Sequence, residues 1–182
     1  LRNPAMLSTI VFCEDWPAGG PRRDLAEVLA RTLASLVTAK VEGLLGDVRI
    51  AGPARKGLGV VANHAGCALI EAENEAGWLH LALQAARGPD VFLLRCGRAP
   101  EAGFIDEAAD FLGADTKDQS RAAWLRAAPE SFFERIFLSL APAAGLIASR
   151  DSMLRAPRGG FQKLAGFVAP ATAFHTRARR IC

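Results

Sequence analysis

Short apolar segments alternate along this chain with longer segments in which apolar residues recur at helical spacing. The short segments lie at 7–13, 47–52, 67–73 and 90–95, and the helical ones at 22–45, 74–88 and 99–113. Strand-length apolar runs that alternate with amphipathic helices are typical of βαβ units, in which helices cover both faces of a mostly parallel sheet. The alternation therefore predicts an α/β fold with three layers, α/β/α.

The second half of the chain is less regular. We expect a strand around 123–126, antiparallel and at an edge of the sheet, a helix over 129–141 and a strand over 143–150. Prolines and glycines interrupt 151–174, so that segment is expected to hold a helical turn and loops. We expect 162–182 to be a loop-rich basic tail.

The composition fits one soluble globular domain over 1–182, with 51% hydrophobic and 23% charged residues. No apolar run approaches the ~20 residues that span a bilayer. The apolar stretch near the start lacks the layout of a signal peptide, so we expect a cytoplasmic protein. Met6 could be the natural start, in which case 1–5 would be foreign to the native chain, and the abundance of alanine favours a bacterial source.

The net charge is +3, and much of the positive charge lies at Arg177, Arg179 and Arg180. Such a cluster is typical of a solvated terminus, and it could also make weak contact with phosphate or an anionic membrane surface. The chain lacks a basic stripe interleaved with aromatic residues, so no specific nucleic-acid partner is expected.

Four widely spaced cysteines, Cys13, Cys67, Cys96 and Cys182, include no CxxC pair and no Cys/His cluster. A zinc site is therefore not expected, and free thiols are the simplest state in a reducing cytosol. Cys96 lies between two arginines, whose charge would stabilise its thiolate and suit nucleophilic or redox chemistry. The sequence identifies no base to serve such a nucleophile.

Several segments of the chain occur in the same order as in a known protein family. They are LARTLASLVTAKVEGLLGDVRIAG, AGCALIEAE, GWLHLALQAARGPDVFLLRCGRAPEAGFIDEAADFL, and GLIASRDSML followed by GGF. On these segments the chain resembles the family 2 glycosyltransferases with a GT-A fold, especially short bacterial members. The resemblance implies a nucleotide-diphospho-sugar-transferase fold and transfer of a sugar from a nucleotide sugar to an acceptor hydroxyl.

The chain departs from that family at the chemical positions. In the family, the fourth strand ends in an Asp-x-Asp that holds Mg²⁺ or Mn²⁺, and alignment on Pro100 puts Arg95 and Gly97 there. Hard cations need oxygen ligands, so neither a metal nor another cofactor is expected. The loop after the second strand is basic rather than acidic, and no acidic residue follows 159–161 to supply a general base.

These departures imply a glycosyltransferase-like protein that is metal-independent or catalytically degenerate. The alternative is a non-catalytic binding or scaffold protein that keeps the fold and binds an anionic ligand or a protein partner.

Three interpretations of the turn after the fourth strand stay open. The guanidinium groups of Arg95 and Arg98 could grip a diphosphate directly, together with Arg55 and Lys56 after the second strand, since these turns share one edge of the sheet. The turn could also be a relic that binds nothing. In the third interpretation the arginines form surface ion pairs with nearby carboxylates, for example Glu101 or Asp106.

Three further residues are candidates for this site. The resemblance implies that Glu14 and Asp15, which follow the first strand, contact the base or ribose of a nucleotide; otherwise they are the solvated start of a loop. His64, just before the third strand, could face the same edge and act as a general base, or be a partly exposed structural residue.

Overall fold

The computed structural model describes residues 6–14, 24–54, 57–114, 121–130, 136, 141–169 and 172–181. Within them, one sheet contains β1 (Leu7–Phe12), β2 (Leu45–Gly52), β3 (Ala68–Glu71), β4 (Asp90–Arg95), β5 (Arg98–Pro100), β6 (Ala122–Ala127), β7 (Ala143–Ser149) and β8 (Thr172–Arg180). The helices of these residues are α1 (Leu25–Ser35), α2 (Val37–Val41), α3 (Leu58–His64), α4 (Glu75–Ala85), α5 (Phe104–Gly113), α6 (Arg150–Arg155) and α7 (Phe161–Val168).

The strand order is β3-β2-β1-β4-β7-β6-β8-β5. β1 pairs in parallel with β2 and β4, and β2 pairs in parallel with β3. These four strands therefore end at one side of the sheet, which we call the carboxyl edge. β7 is antiparallel to β4 and β6, whereas β8 is parallel to β6 and antiparallel to β5. The predicted α/β fold with a mostly parallel sheet is confirmed.

Two apolar clusters lie on opposite faces of the sheet, because successive strand residues point to opposite sides. One cluster contains Val11 and Leu94 together with residues of α1, α3 and α5. The other contains Ile10 and Leu93 together with residues of α4, α6 and α7. The sheet is therefore the middle of three layers, as the alternation of elements predicts.

Only Cys96 and Gly97 separate β4 from β5, although β4 lies inside the sheet and β5 at one end of its strand order. The sheet must therefore curl, so that the end formed by β8 and β5 returns to the end of β4. Gly97 adopts a φ of 86°, a left-handed conformation that glycine accepts without strain, and its carbonyl oxygen accepts the backbone N–H of Ile181 at 2.9 Å.

Several element boundaries differ from the sequence prediction. The helix expected over 22–45 is two helices separated at Leu36, and β2 begins already at Leu45. β5 begins just before the segment expected to be helical and includes its first two residues, so the helix α5 starts only at Phe104. The strand expected near 123–126 is β6, antiparallel to β7 as predicted, but β8 covers its other side, so the edge position is wrong. Most of the helix expected over 129–141 lies outside the described residues.

The expectation of a loop-rich tail over 162–182 is also wrong. The segment contains most of α7 and the whole of β8, which lies between β6 and β5. Phe174 and Ala178 are 3% and 0% exposed, and this burial holds the strand in the sheet despite its charges. Arg179 is exposed, and its contact with an anionic membrane surface stays a prediction. Among the described helices, none combines the length and apolarity needed to cross a membrane.

Candidate functional site

The carboxyl edge brings together the ends of β1 and β4. The two strands pair in register with Phe12 opposite Arg95, so the residues that follow them also lie close together. Nη2 of Arg95 is 3.1 Å from Oε1 of Glu14, and the two side chains are 25% and 34% exposed. Two of the predicted site residues thus meet in an ion pair that solvent, or a ligand, can reach.

Two phenyl rings flank the guanidinium group of Arg95. Its Cζ lies 6.0 Å from the ring centre of Phe12 and 5.6 Å from that of Phe161. The rings stack on each other with their centres 4.6 Å apart. Cation–π attraction and the ion pair with Glu14 therefore hold the guanidinium at the edge. The Nε atom of Arg95 is buried and finds no hydrogen-bond partner among the described residues.

Glu75 is a further charged group at this edge, and the sequence reasoning missed it. It opens α4, which begins here because the side-chain oxygen of Asn74 accepts the backbone N–H of Gly77 at 2.9 Å. Oε1 of Glu75 accepts the backbone N–H of Phe161 at 2.8 Å, which satisfies a donor at the start of α7. The sequence offered only an acid in the first turn of the helix that follows β3, which is too common a pattern to indicate a site.

Gly160 leaves room for the contact between α4 and α7. A Cβ atom at this position would lie 2.7 Å from Oε2 of Glu75, which is closer than side chains tolerate. No acidic residue follows 159–161 in the sequence, but Glu75 of α4 places a carboxylate against the backbone of Phe161.

Burial is the main cause that raises the pKa of Glu14 above its usual value. The positive charge of Arg95 opposes this shift, and the negative charge of Glu75 adds to it. A carboxylate with a raised pKa accepts a proton more readily near neutral pH, which is the property that a general base needs.

Arg98 has a different partner from Arg95. It begins β5, and its guanidinium pairs with Glu130 at 2.7 Å, while Arg180 on the neighbouring β8 pairs with the same carboxylate at 3.1 Å. Partial burial opposes ionisation of Glu130, but the two guanidinium groups outweigh it and lower the pKa.

The geometry of the turn therefore matches the ion-pair interpretation for both arginines. The carboxylates are Glu14 for Arg95 and Glu130 for Arg98, in place of the expected Glu101 and Asp106. In the described part of the chain, Arg95 and Arg98 form their ion pairs with different carboxylates. Arg55, Lys56 and Asp15, the remaining charged candidates, lie outside the described residues.

His64 lies at the edge of the sheet opposite to Arg95. It is the last residue of α3, which follows the carboxyl end of β2 and returns to the start of β3. Its exposed side chain lines a cavity of about 830 Å³ together with Lys40, Arg49 and Arg87. A helix that links two parallel strands ends where the second strand begins. The expectation that His64 faces the turn with Arg95 and Arg98 is therefore wrong.

The thiol of Cys96 has a lowered pKa, as the sequence suggests, but for another reason. A hydrogen bond with the thiol of Cys13 is the main cause, burial opposes it, and the Thr32 hydroxyl and the backbone N–H of Gly97 lower the pKa further. The guanidinium groups of the flanking arginines are directed to carboxylates, so they are not the cause.

The resemblance implies a divalent cation at the end of β4, and the residues present do not fit one. Arg95 places a positive guanidinium against Glu14, where a cation would need oxygen ligands. In the part of the chain that the structure describes, no group of three His, Cys, Asp or Glu side chains could hold a metal ion. We therefore assign no step of chemistry to a metal at this edge.

No family model matches the chain, and neither does any curated protein. Solved structures do match it, among them sugar transferases. The fold is that of the GT-A-type glycosyltransferases, as the resemblance implied.

Glucosyl-3-phosphoglycerate synthase from Mycobacterium tuberculosis, solved with Mn²⁺, UDP-glucose and phosphoglyceric acid, matches with a TM-score of 0.65 and 12% identity, over 97% of this chain and 72% of that one. Mannosyl-3-phosphoglycerate synthase from Rubrobacter xylanophilus matches with a TM-score of 0.54 and 15% identity, over 90% of this chain and 60% of that one. At such low identity the likeness concerns the fold.

Proposed function

We propose that this chain is a glycosyltransferase-like protein that binds the diphosphate of a nucleotide sugar at the carboxyl edge without a metal ion. The observation that carries the proposal is the position of Arg95, whose guanidinium stands at the end of β4 beside Glu14. The family that the chain resembles holds its cation there. A guanidinium group offers paired N–H donors to phosphate oxygens, so Arg95 supplies positive charge where a diphosphate would otherwise be held through a metal.

Exchange of Glu14 for a phosphate group costs Arg95 little. Their ion pair is partly exposed, and such pairs contribute about 0–1 kcal/mol. A diphosphate carries more negative charge and more acceptor oxygens than one carboxylate. A diphosphate is therefore a better partner for Arg95 than the carboxylate that it replaces.

The proposed reaction transfers the sugar to an acceptor hydroxyl. Arg95 stabilises the negative charge that develops on the departing diphosphate. Glu14, once released from Arg95, accepts the proton of the hydroxyl, since burial already raises its pKa. A single guanidinium carries less charge than a divalent cation, so we expect slow transfer.

A second candidate function is binding without catalysis. It is favoured by the contacts of Arg95, which has Glu14 and two phenyl rings as partners and so contributes to the fold even without a ligand. A protein of this kind would use its surface for an anionic ligand or a protein partner.

Calorimetry separates the two candidates. UDP, GDP, UDP-glucose and GDP-mannose would each be titrated into the protein, once with Mn²⁺ and once with a chelator. We expect at least one nucleotide to bind equally in both conditions. Arg95→Gln should weaken that binding at least tenfold, and Arg98→Gln, whose guanidinium has Glu130 as its partner, should leave it within twofold.

Three results would count against the proposal. Absence of binding by every nucleotide would remove the transferase-like function and leave the second candidate. Binding that requires Mn²⁺ would refute the metal-independent site. Equal losses from the two arginine variants would show that overall charge, rather than the carboxyl edge, attracts the nucleotide.

A further inference from the structure

Two cysteines lie side by side at the carboxyl edge. β1 and β4 are in register up to Phe12 opposite Arg95, and the next residues are Cys13 and Cys96. The backbone N–H of Cys96 donates to the carbonyl oxygen of Phe12 at 2.9 Å, so Cys96 is still hydrogen-bonded to β1. Adjacent strands lie about 4.8 Å apart, and a disulfide requires Cα atoms roughly 4.4–6.8 Å apart. The backbone therefore places this pair within the range of a disulfide.

The side chains of the pair point to the same face of the sheet. Both belong to the apolar cluster that α1 and α3 cover, and interaction between the two thiols raises the pKa of Cys13 and lowers that of Cys96. Cys96 is 8% exposed, whereas Cys13 is 0% exposed. Cys96 is thus the thiol that ionises first and that a small reagent meets first.

We propose that Cys13 and Cys96 are a modification site, at which hydrogen peroxide or another small hydroperoxide oxidises the two thiols to a reversible disulfide. The bond links the ends of β1 and β4. This proposal does not depend on the proposed function, because it requires only the two thiols and the oxidant.

The oxidation proceeds in two balanced steps. The thiolate of Cys96 attacks one oxygen of hydrogen peroxide, the O–O bond breaks, and Cys96 becomes a sulfenic acid while the hydroxide and the thiol proton form water. The sulfur of Cys13 then attacks the sulfur of Cys96, the S–S bond forms, and the S–O bond breaks. The hydroxyl leaves with the proton of Cys13 as a second water. A dithiol reductant returns both residues to thiols.

The disulfide would change the candidate site directly, because Glu14 and Arg95 are the chain neighbours of Cys13 and Cys96. A covalent bond between the strand ends limits how far the two charged side chains can separate. The exchange of Glu14 for another partner of Arg95 should therefore depend on the redox state of the pair.

The test maps the oxidised bonds in the folded wild-type protein. The protein would be treated with hydrogen peroxide, alkylated to block free thiols, and digested without reductant for mass spectrometry. We expect a peptide pair that links Cys13 to Cys96, absent without peroxide and absent after dithiothreitol. Recovery of Cys96 as sulfinic acid with Cys13 still a free thiol would overturn the proposal.

Variants supply the controls. Cys67 lies just before β3, at the other edge of the sheet, so Cys67→Ser should leave the Cys13–Cys96 peptide pair unchanged. Cys13→Ser should abolish the disulfide and leave Cys96 as sulfenic acid, which a dimedone probe detects. Linkage of Cys96 to Cys67 or Cys182 in the folded wild-type protein, in place of Cys13, would also refute the proposal.

Discussion

The carboxylate of Glu75 accepts the backbone N–H of Phe161 and so ties the first turn of α4 to the first turn of α7. The ring of Phe161 in turn lies against the guanidinium of Arg95. The contact between Glu75 and Phe161 therefore connects the packing of α4 and α7 to the position of the Arg95 guanidinium at the carboxyl edge.

Replacing Gly160 by alanine should break this link. The new methyl group would lie 2.7 Å from Oε2 of Glu75, so the carboxylate must move away and the N–H of Phe161 loses its acceptor. We expect the free energy of unfolding to fall by about 1 kcal/mol in urea titrations. Gly166→Ala, within α7, is the control, since no atom lies within 4 Å of the added methyl group. Equal losses in the two variants would contradict the assigned contact.

Glu14→Gln should increase the affinity for a nucleoside diphosphate. The carboxylate competes with phosphate for Arg95, and its removal frees a partly exposed ion pair worth up to about 1 kcal/mol. Calorimetry should therefore show an increase of up to about fivefold. Glu130→Gln, which removes the partner of Arg98 instead, should have little effect. A loss of affinity in Glu14→Gln would show that Glu14 contacts the nucleotide itself.

Lowering the pH should reduce the stability of the protein, because Glu107 becomes protonated. Its oxygens accept hydrogen bonds from the backbone N–H groups of His175 and Thr176 and from the Thr176 hydroxyl, at 2.6, 2.9 and 2.6 Å. Partial burial opposes ionisation, but these hydrogen bonds outweigh it and lower the pKa. The contribution of Glu107 is thus present above its unfolded pKa and is lost as the pH falls through the folded pKa.

Urea unfolding of Glu107→Gln and the wild type at several pH values checks this sign. The variant should be less stable by about 1 kcal/mol at neutral pH, and the difference should shrink in acid. The exposed Glu101 offers the control Glu101→Gln. A difference that stays constant between neutral and acidic pH would show that the charge of Glu107 is not involved.

Gly145→Ala should destabilise the centre of the sheet. A Cβ atom there would lie 2.7 Å from the carbonyl oxygen of Leu93 and 3.1 Å from the ring of Phe92, in a strand pair that cannot yield easily. We expect a loss of about 1–3 kcal/mol in the free energy of unfolding. Gly166→Ala, in α7 with no atom near the added methyl, should instead stabilise by about 0.5–1 kcal/mol. Similar effects of both substitutions would contradict the close packing of β7 on β4.

The sequence predicted the central strands well because burial on both faces leaves nearly continuous apolar runs. β1 and β4 are examples, and their bounds differ little from the prediction. β8 was missed because its side chains are mostly exposed or charged, and only Phe174 and Ala178 among them are buried. β5 was missed because three residues that include a proline carry no strand pattern.

The sequence predicted only those site residues whose positions follow from the order of the strands along the chain. Glu14 and Arg95 each follow or end a parallel strand, so their meeting follows from the sheet. Glu75 reaches the site from a helix start, and an acid in the first turn of a helix is too common to indicate function. Cys13 and Cys96 lie side by side because of the register between β1 and β4, and no local sequence pattern specifies that register.

The place of β8 in the sheet has a consequence for the newly made protein. β5 pairs with β8 in the described sheet, and β8 is its last strand in chain order. On the ribosome, β5 leaves the exit tunnel long before residues 172–180 are synthesised. The backbone groups of β5 that pair with β8 therefore stay unpaired until β8 has been synthesised. A chaperone that shields unpaired strands during translation should increase the yield of native protein.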